Sequence, residues 1–163
     1  ATQFGDSATV GTDAGGIALA TRADTKLDGD FSVGLGFEYA SGPEIGGDAG
    51  FAPLFDFNHA YHGHMDMFTW TNLMDLVVRT GMPIDENWNW YGDVHLFSQP
   101  EEQADSGDSF LGTEIDLGLK GNIGQNASFW GGISQFVAGD GEITNSFPLE
   151  DATWIFAQIA VKF

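Results

Sequence analysis

The stretch "HAYHGHMDM" sets His59, His62, His64 and Asp66 within a few residues of one another, a donor set chemically fit for Zn, Ni or Cu. The chain has no cysteine to add a thiolate, and the spacing matches no finger or zincin motif. The same residues, set among aromatics, suit a loop that folds inward and packs, so no metal centre and no cofactor is expected. A second constellation lies further on. Asp93 and His95 have the parity of one strand face, as do Glu114 and Asp116, and the two pairs are expected to be neighbours. This reads as a polar network rather than an acid–base pair. The chain has no Gly-x-Ser-x-Gly elbow and no recognisable phosphate loop or paired-acid motif, so an enzyme is not expected. The acidic stretches "PEEQADSGDS" and "GDGEITNSFPLED" lack the EF-hand spacing and read as solvated loop.

The elements that must position these residues are strands. Apolar and polar residues alternate with a period of two in segments 16–27, 30–40, 68–83, 88–98, 110–123, 127–139 and 153–163, and no segment sustains a helical period. In the fourth, Trp88, Trp90, Val94 and Leu96 oppose Asn89, Tyr91, Asp93 and His95. In the fifth, Leu111, Thr113, Ile115, Leu117 and Leu119 oppose Gly112, Glu114, Asp116, Gly118 and Lys120. The third alternates least cleanly, because Leu73 and Val77 fall on its polar side and Asn72 on its apolar one. Asp28-Gly29 marks a hairpin turn. An eighth strand from "DSATVGTD" is poorly patterned.

Connections between the segments alternate short and long, the pattern of an antiparallel up-and-down barrel in an outer membrane. Charge placement points the same way. Arg22, Asp24, Lys26, Glu38, Asp75, Arg79, Asp93, His95, Glu114, Asp116, Lys120 and Lys162 all have the parity of the polar faces, and they are expected to line a lumen. Trp88, Trp90, Phe68, Trp70 and Phe163 fall near strand ends, as interfacial aromatics do. The expected fold is all-β: one transmembrane barrel domain over residues 1–163, in contact with outer-membrane lipid. The opposite sense, a soluble lipocalin-like barrel, would need the apolar face turned inward.

Composition narrows the function. With 5 Lys plus Arg against 24 Asp plus Glu, nothing could neutralise the phosphates of a nucleic acid. No apolar run approaches the length of a membrane-spanning helix, which leaves a barrel open. The chain begins "ATQFGDSATV" without a methionine and carries an odd number of strand segments, so it is expected to be the carboxy-terminal part of a larger barrel, completed by a further segment or chain.

Two features carry a resemblance. The run "TWIFAQIAVKF" resembles the closing strand of bacterial outer-membrane proteins, which implies that Phe163 is a signal for the barrel-assembly machinery. The stretch "FAPLFDFNHAYHGHMDMFTWTNLMDLVV" resembles the alginate-export family of outer-membrane barrels, through Asn58, His59, Tyr61, Gly63, Met65, Asp66, Asn72 and Asp75. The resemblance spans about Phe51 to Phe163 and implies a porin-like channel of a Gram-negative outer membrane. Members of that family have longer chains and an arginine-rich lumen, whereas only Arg22 and Arg79 are present here. Small hydrophilic solutes or ions, with a mild preference for cations, are the expected cargo. The alternative is a structural outer-membrane subunit surrounding or anchoring a partner.

Overall fold

A computed structural model describes residues 1–6, 13–43, 50–53, 62–101, 108–141, 143 and 149–163 of the chain. Eight strands run in chain order: β1 (Thr2–Asp6), β2 (Asp13–Lys26), β3 (Ser32–Ala40), β4 (Leu73–Pro83), β5 (Trp88–Ser98), β6 (Phe110–Ile123), β7 (Ala127–Ala138) and β8 (Ala152–Val161). Each pairs antiparallel with the next. β2 to β8 form one continuous seven-stranded sheet, with the short β1 paired to the edge of β2. Among the described residues β1 and β8 are not paired with each other. No helix among them is long and apolar enough to cross a membrane.

Each of the seven sequence segments contains a strand. The eighth strand is Thr2–Asp6 rather than the stretch expected, most of which lies outside the described residues. The short connections 27–31, 84–87 and 124–126 lie at one end of the sheet, and the strand ends at Ala40, Leu73, Ser98, Phe110, Ala138 and Ala152 lie at the other. Local chemistry makes the short ones tight. Gly29 takes a φ of 76° within the Asp28–Asp30 turn. Asp85 Oδ1 accepts the backbone N–H groups of Asn87 and Trp88 at 2.8 and 2.9 Å, closing the β4–β5 turn.

Two sequence expectations are corrected. The third strand starts at Leu73, five residues later than its alternation suggested, because Asn72 adopts a φ of 49° and breaks the extended run. Counted from Leu73 the phase is clean: Leu73, Asp75, Val77 and Gly81 are buried, while Leu76, Val78 and Met82 are exposed. Phe68 and Trp70 are therefore not strand-end aromatics on the apolar face. Phe68 is buried with Leu73, Phe97, Leu111 and Phe136, and Trp70 packs with Phe51, Ala18 and Ala40. In β6, Phe97 pairs with Gly112 but Ser98 pairs with Phe110, so Leu111 is an extra residue in a bulge. The bulge carries Leu111 to the buried side, away from the face shared by Ile115 and Leu117.

The two faces of the sheet differ in character. One face is covered by residues 50–51 and 62–72, and it holds the charges. The other is open and apolar: Leu19, Leu35, Leu76, Leu96, Ile115, Leu117, Ile133 and Ile155 are exposed on it, Ile155 to 73%. At the short-turn end this open face carries aromatic pairs, Phe31 with Trp90 and Trp88 with Phe129. From Phe110 to Leu119 the open face of β6 spans about 30 Å along the strand.

Candidate functional site: a buried acid–histidine cluster under an inward-folded segment

Strand register assembles the site. On the covered face Glu38 is opposite Asp75, Arg79 opposite Asp93, Asp93 opposite Asp116, and His95 opposite Glu114. The neighbourhood expected from parity is therefore formed. Glu38, Asp75, Glu114 and Asp116 are all at most 1% exposed. Burying four carboxylates is costly unless each is paired, and the covering segment supplies much of the pairing.

Glu38 is held from both sides. Arg22 Nη2 donates to its Oε1 at 2.8 Å, and His62 Nε2 lies 3.2 Å from its Oε2. His95 bridges two acids, with Nδ1 2.7 Å from Asp75 Oδ2 and Nε2 3.9 Å from Asp116 Oδ2, and its ring stacks on Phe97. Glu114 and Asp116 grip the main chain of the covering segment. Glu114 Oε1 accepts the Met65 N–H at 2.9 Å, and Asp116 Oδ2 accepts the His64 N–H at 3.3 Å. The His64 ring lies against Tyr91, Trp130 and Phe156, with Nδ1 3.6 Å from Asp116 Oδ1. Asn72 closes the segment: its amide donates to the Glu101 carbonyl at 2.8 Å and its Oδ1 accepts the Glu101 N–H at 3.0 Å.

The metal candidates do not converge. His62 goes to Glu38, His64 to Asp116, and Asp66 is exposed; His59 lies outside the described residues. Among the described residues no group of three or more His, Asp or Glu side chains is placed to hold a metal ion. The remaining charged positions sit towards the short turns. Arg79 lies 3.7 Å from Asp24 and 3.9 Å from Asp93, Lys26 makes an exposed contact with Asp30, and the Lys120 ammonium lies 6.0 Å from the Tyr91 ring centre. Lys162 follows the last residue of β8, and Phe163 is fully exposed.

Sequence reasoning missed the apolar part of the site. Phe97 and Phe136 share strand parity with His95 and Ser134, so their inward position was available from the pattern; Phe68 reaches them from a non-strand segment. The result is a buried aromatic layer near the long-connection end and an acid–histidine layer beside it. Chemically the arrangement can fasten a segment across a polar face through carboxylate-to-backbone bonds. No protein-family model matches the chain, and no curated protein matches its sequence.

Proposed function

We propose that this chain forms the wall of an outer-membrane β-barrel of a Gram-negative bacterium, porin-like, with segment 62–72 folded into its lumen as a constriction. The observation that carries the reading is the inverted sheet: four fully buried acids on the covered face against an exposed face of Leu, Ile and Val. Exposed apolar area on this scale needs a non-aqueous neighbour, and lipid is the neighbour that a continuous band bordered by aromatics at its short-turn end suits. The up-and-down order and the alternation of short turns with long connections support the same reading. Strand pairing of β8 with a further segment or chain would close the barrel.

The cargo is small and hydrophilic. The resemblance to alginate-export barrels agrees with a porin-like role, but the acid-rich wall gives a polyanion no favourable path. The long connections carry acids and no Lys or Arg, so a conducting barrel favours small cations modestly. The Phe68 layer favours a second reading, a structural subunit whose lumen stays shut.

Reconstitution separates these. The chain should partition into detergent, migrate differently on a gel before and after boiling, and conduct in a planar bilayer with a reversal potential of cation sign in a potassium chloride gradient. Monomeric solubility without detergent rejects the membrane reading. Assembly without conductance selects the structural subunit, and clear anion preference rejects the cargo assignment.

A further inference from the structure

Between His64 and the short turns the covered face holds a cavity of about 610 Å³, separate from the buried acids Glu38, Asp75 and Glu114. Its size lies within the range of about 300–1,000 Å³ typical of small-molecule sites. One wall is aromatic and rigid: Trp130 Nε1 donates to the Tyr91 hydroxyl at 2.8 Å, and the His64 ring meets both edge-on. The rim towards the turns is polar, lined by Asn89, Asn122 and Ser128, with Lys120 opposite Asn89 in the strand register. Each asparagine amide offers donors and acceptors together, the combination that vicinal hydroxyls match.

The charges in the wall do not select an ion. Arg79 already lies between Asp24 and Asp93, and Lys120 stands over Tyr91. An anion entering would have to compete for Arg79 or draw Lys120 from the Tyr91 ring, and a cation would have to compete for Asp93. A neutral molecule would leave these pairs intact while its C–H faces meet the aromatic wall and its hydroxyls meet the amides.

We infer that this vestibule is a binding site for a neutral, hydroxyl-rich solute of the saccharide class. The inference deepens the channel reading and rests on it for the route by which the solute arrives.

The test uses the full chain folded in detergent micelles, titrated with lactose and with lactobionate, its singly charged acid of similar size. Calorimetry and tryptophan fluorescence should report saturable lactose binding with a Kd of about 1 mM. Lactobionate should bind no more tightly. Replacing Asn89→Leu with Asn122→Leu should weaken lactose binding at least about tenfold, while the heat-dependent gel shift stays unchanged. Trp130→Phe should reduce the fluorescence change. Where the double variant does not assemble, Ser128→Val at the exposed rim tests the same wall. Absence of saturable lactose binding overturns the site, as does full affinity in an assembled rim variant. Lactobionate binding about tenfold tighter than lactose overturns the neutral-solute assignment. Binding in micelles without conductance in bilayers rejects the channel reading and keeps the site; conductance without binding rejects the site alone.

Discussion

Gly63 lies so close to the Glu114 carboxylate that a Cβ on it would overlap both carboxylate oxygens, and its φ of 78° falls in the left-handed region. The two facts together make this glycine the point at which the covering segment is pressed onto β6. They also separate two costs that usually come mixed, one of backbone conformation and one of space.

The first prediction follows from that separation. Gly63→Ala adds a conformational penalty of about 1–2 kcal/mol and displaces Glu114 from the Met65 N–H. Gly124→Ala, at a φ of 68° with nothing within 4 Å of the new methyl, carries the conformational penalty alone. The Gly63 variant should therefore lose more thermal stability than the Gly124 variant, and limited proteolysis should cut it faster within 62–72. Equal melting temperatures would show that the segment is not seated on Glu114.

A second prediction concerns the two faces. Leu117 is 52% exposed on the apolar face, whereas Asn89 is exposed on the covered side near the short turns. Leu117→Arg should cost about 2–4 kcal/mol of folding into bilayers near mid-membrane, and Asn89→Arg close to nothing. Urea titration of vesicle-folded protein reads the difference. Equal tolerance at both positions would reject lipid as the neighbour of the Leu117 face.

Arg22 and Glu38 supply a third. Arg22→Met leaves a carboxylate that is 1% exposed with His62 as its named remaining ionic neighbour. Glu38→Gln, made in the same background, removes the charge that was stranded. The double variant should be more stable than the sum of the single losses predicts, with a coupling of about 0.5–3 kcal/mol. Strict additivity in a double-mutant cycle would mean that the pair carries no net interaction.

The fourth prediction tests Phe163. It is fully exposed beyond β8, so no packing among the described residues explains an aromatic at that position. On the reading that the closing strand is recognised during assembly, Phe163→Lys should lower the amount of folded protein in the outer membrane of cells. Detergent refolding of the purified chain should be unaffected. An equal loss in both assays would assign Phe163 to fold stability instead.

Strand positions and the two faces were legible in the sequence because both depend on a local period of two. The grouping of Asp93, His95, Glu114 and Asp116 was legible for the same reason, once β5 and β6 were taken as neighbouring strands. What the period could not reveal is where it is interrupted. The Leu111 bulge reverses one large side chain, and Gly112, at a φ of 148°, is the local mark of it. Asn72 ends an apparent strand that began at Phe68, and the signal was present as a conflict: Leu73 and Val77 lay on the wrong side of the pattern. The contacts of His62 with Glu38 and of Met65 with Glu114 join residues far apart in sequence across a non-periodic segment. No local rule encodes them.

The last prediction concerns the aromatic layer. Phe68 is 5% exposed, 4.8 Å from the Phe97 ring centre and 5.8 Å from that of Phe136. It comes from the covering segment, whereas Phe97 and Phe136 come from the sheet, so its burial is an apolar attachment between the two. Phe68→Ala should cost about 3–5 kcal/mol, drawn mostly from docking of the segment rather than from strand pairing. If segment 62–72 constricts a lumen, the variant should still show the heat-dependent gel shift but conduct more strongly than the parent, with frequent transitions between levels. Phe97→Ala opens a similar gap from the sheet side and should give the same change in conductance. Unchanged conductance in both assembled variants would show that the aromatic layer does not lie on the solute path, and would favour the shut, structural reading of the barrel.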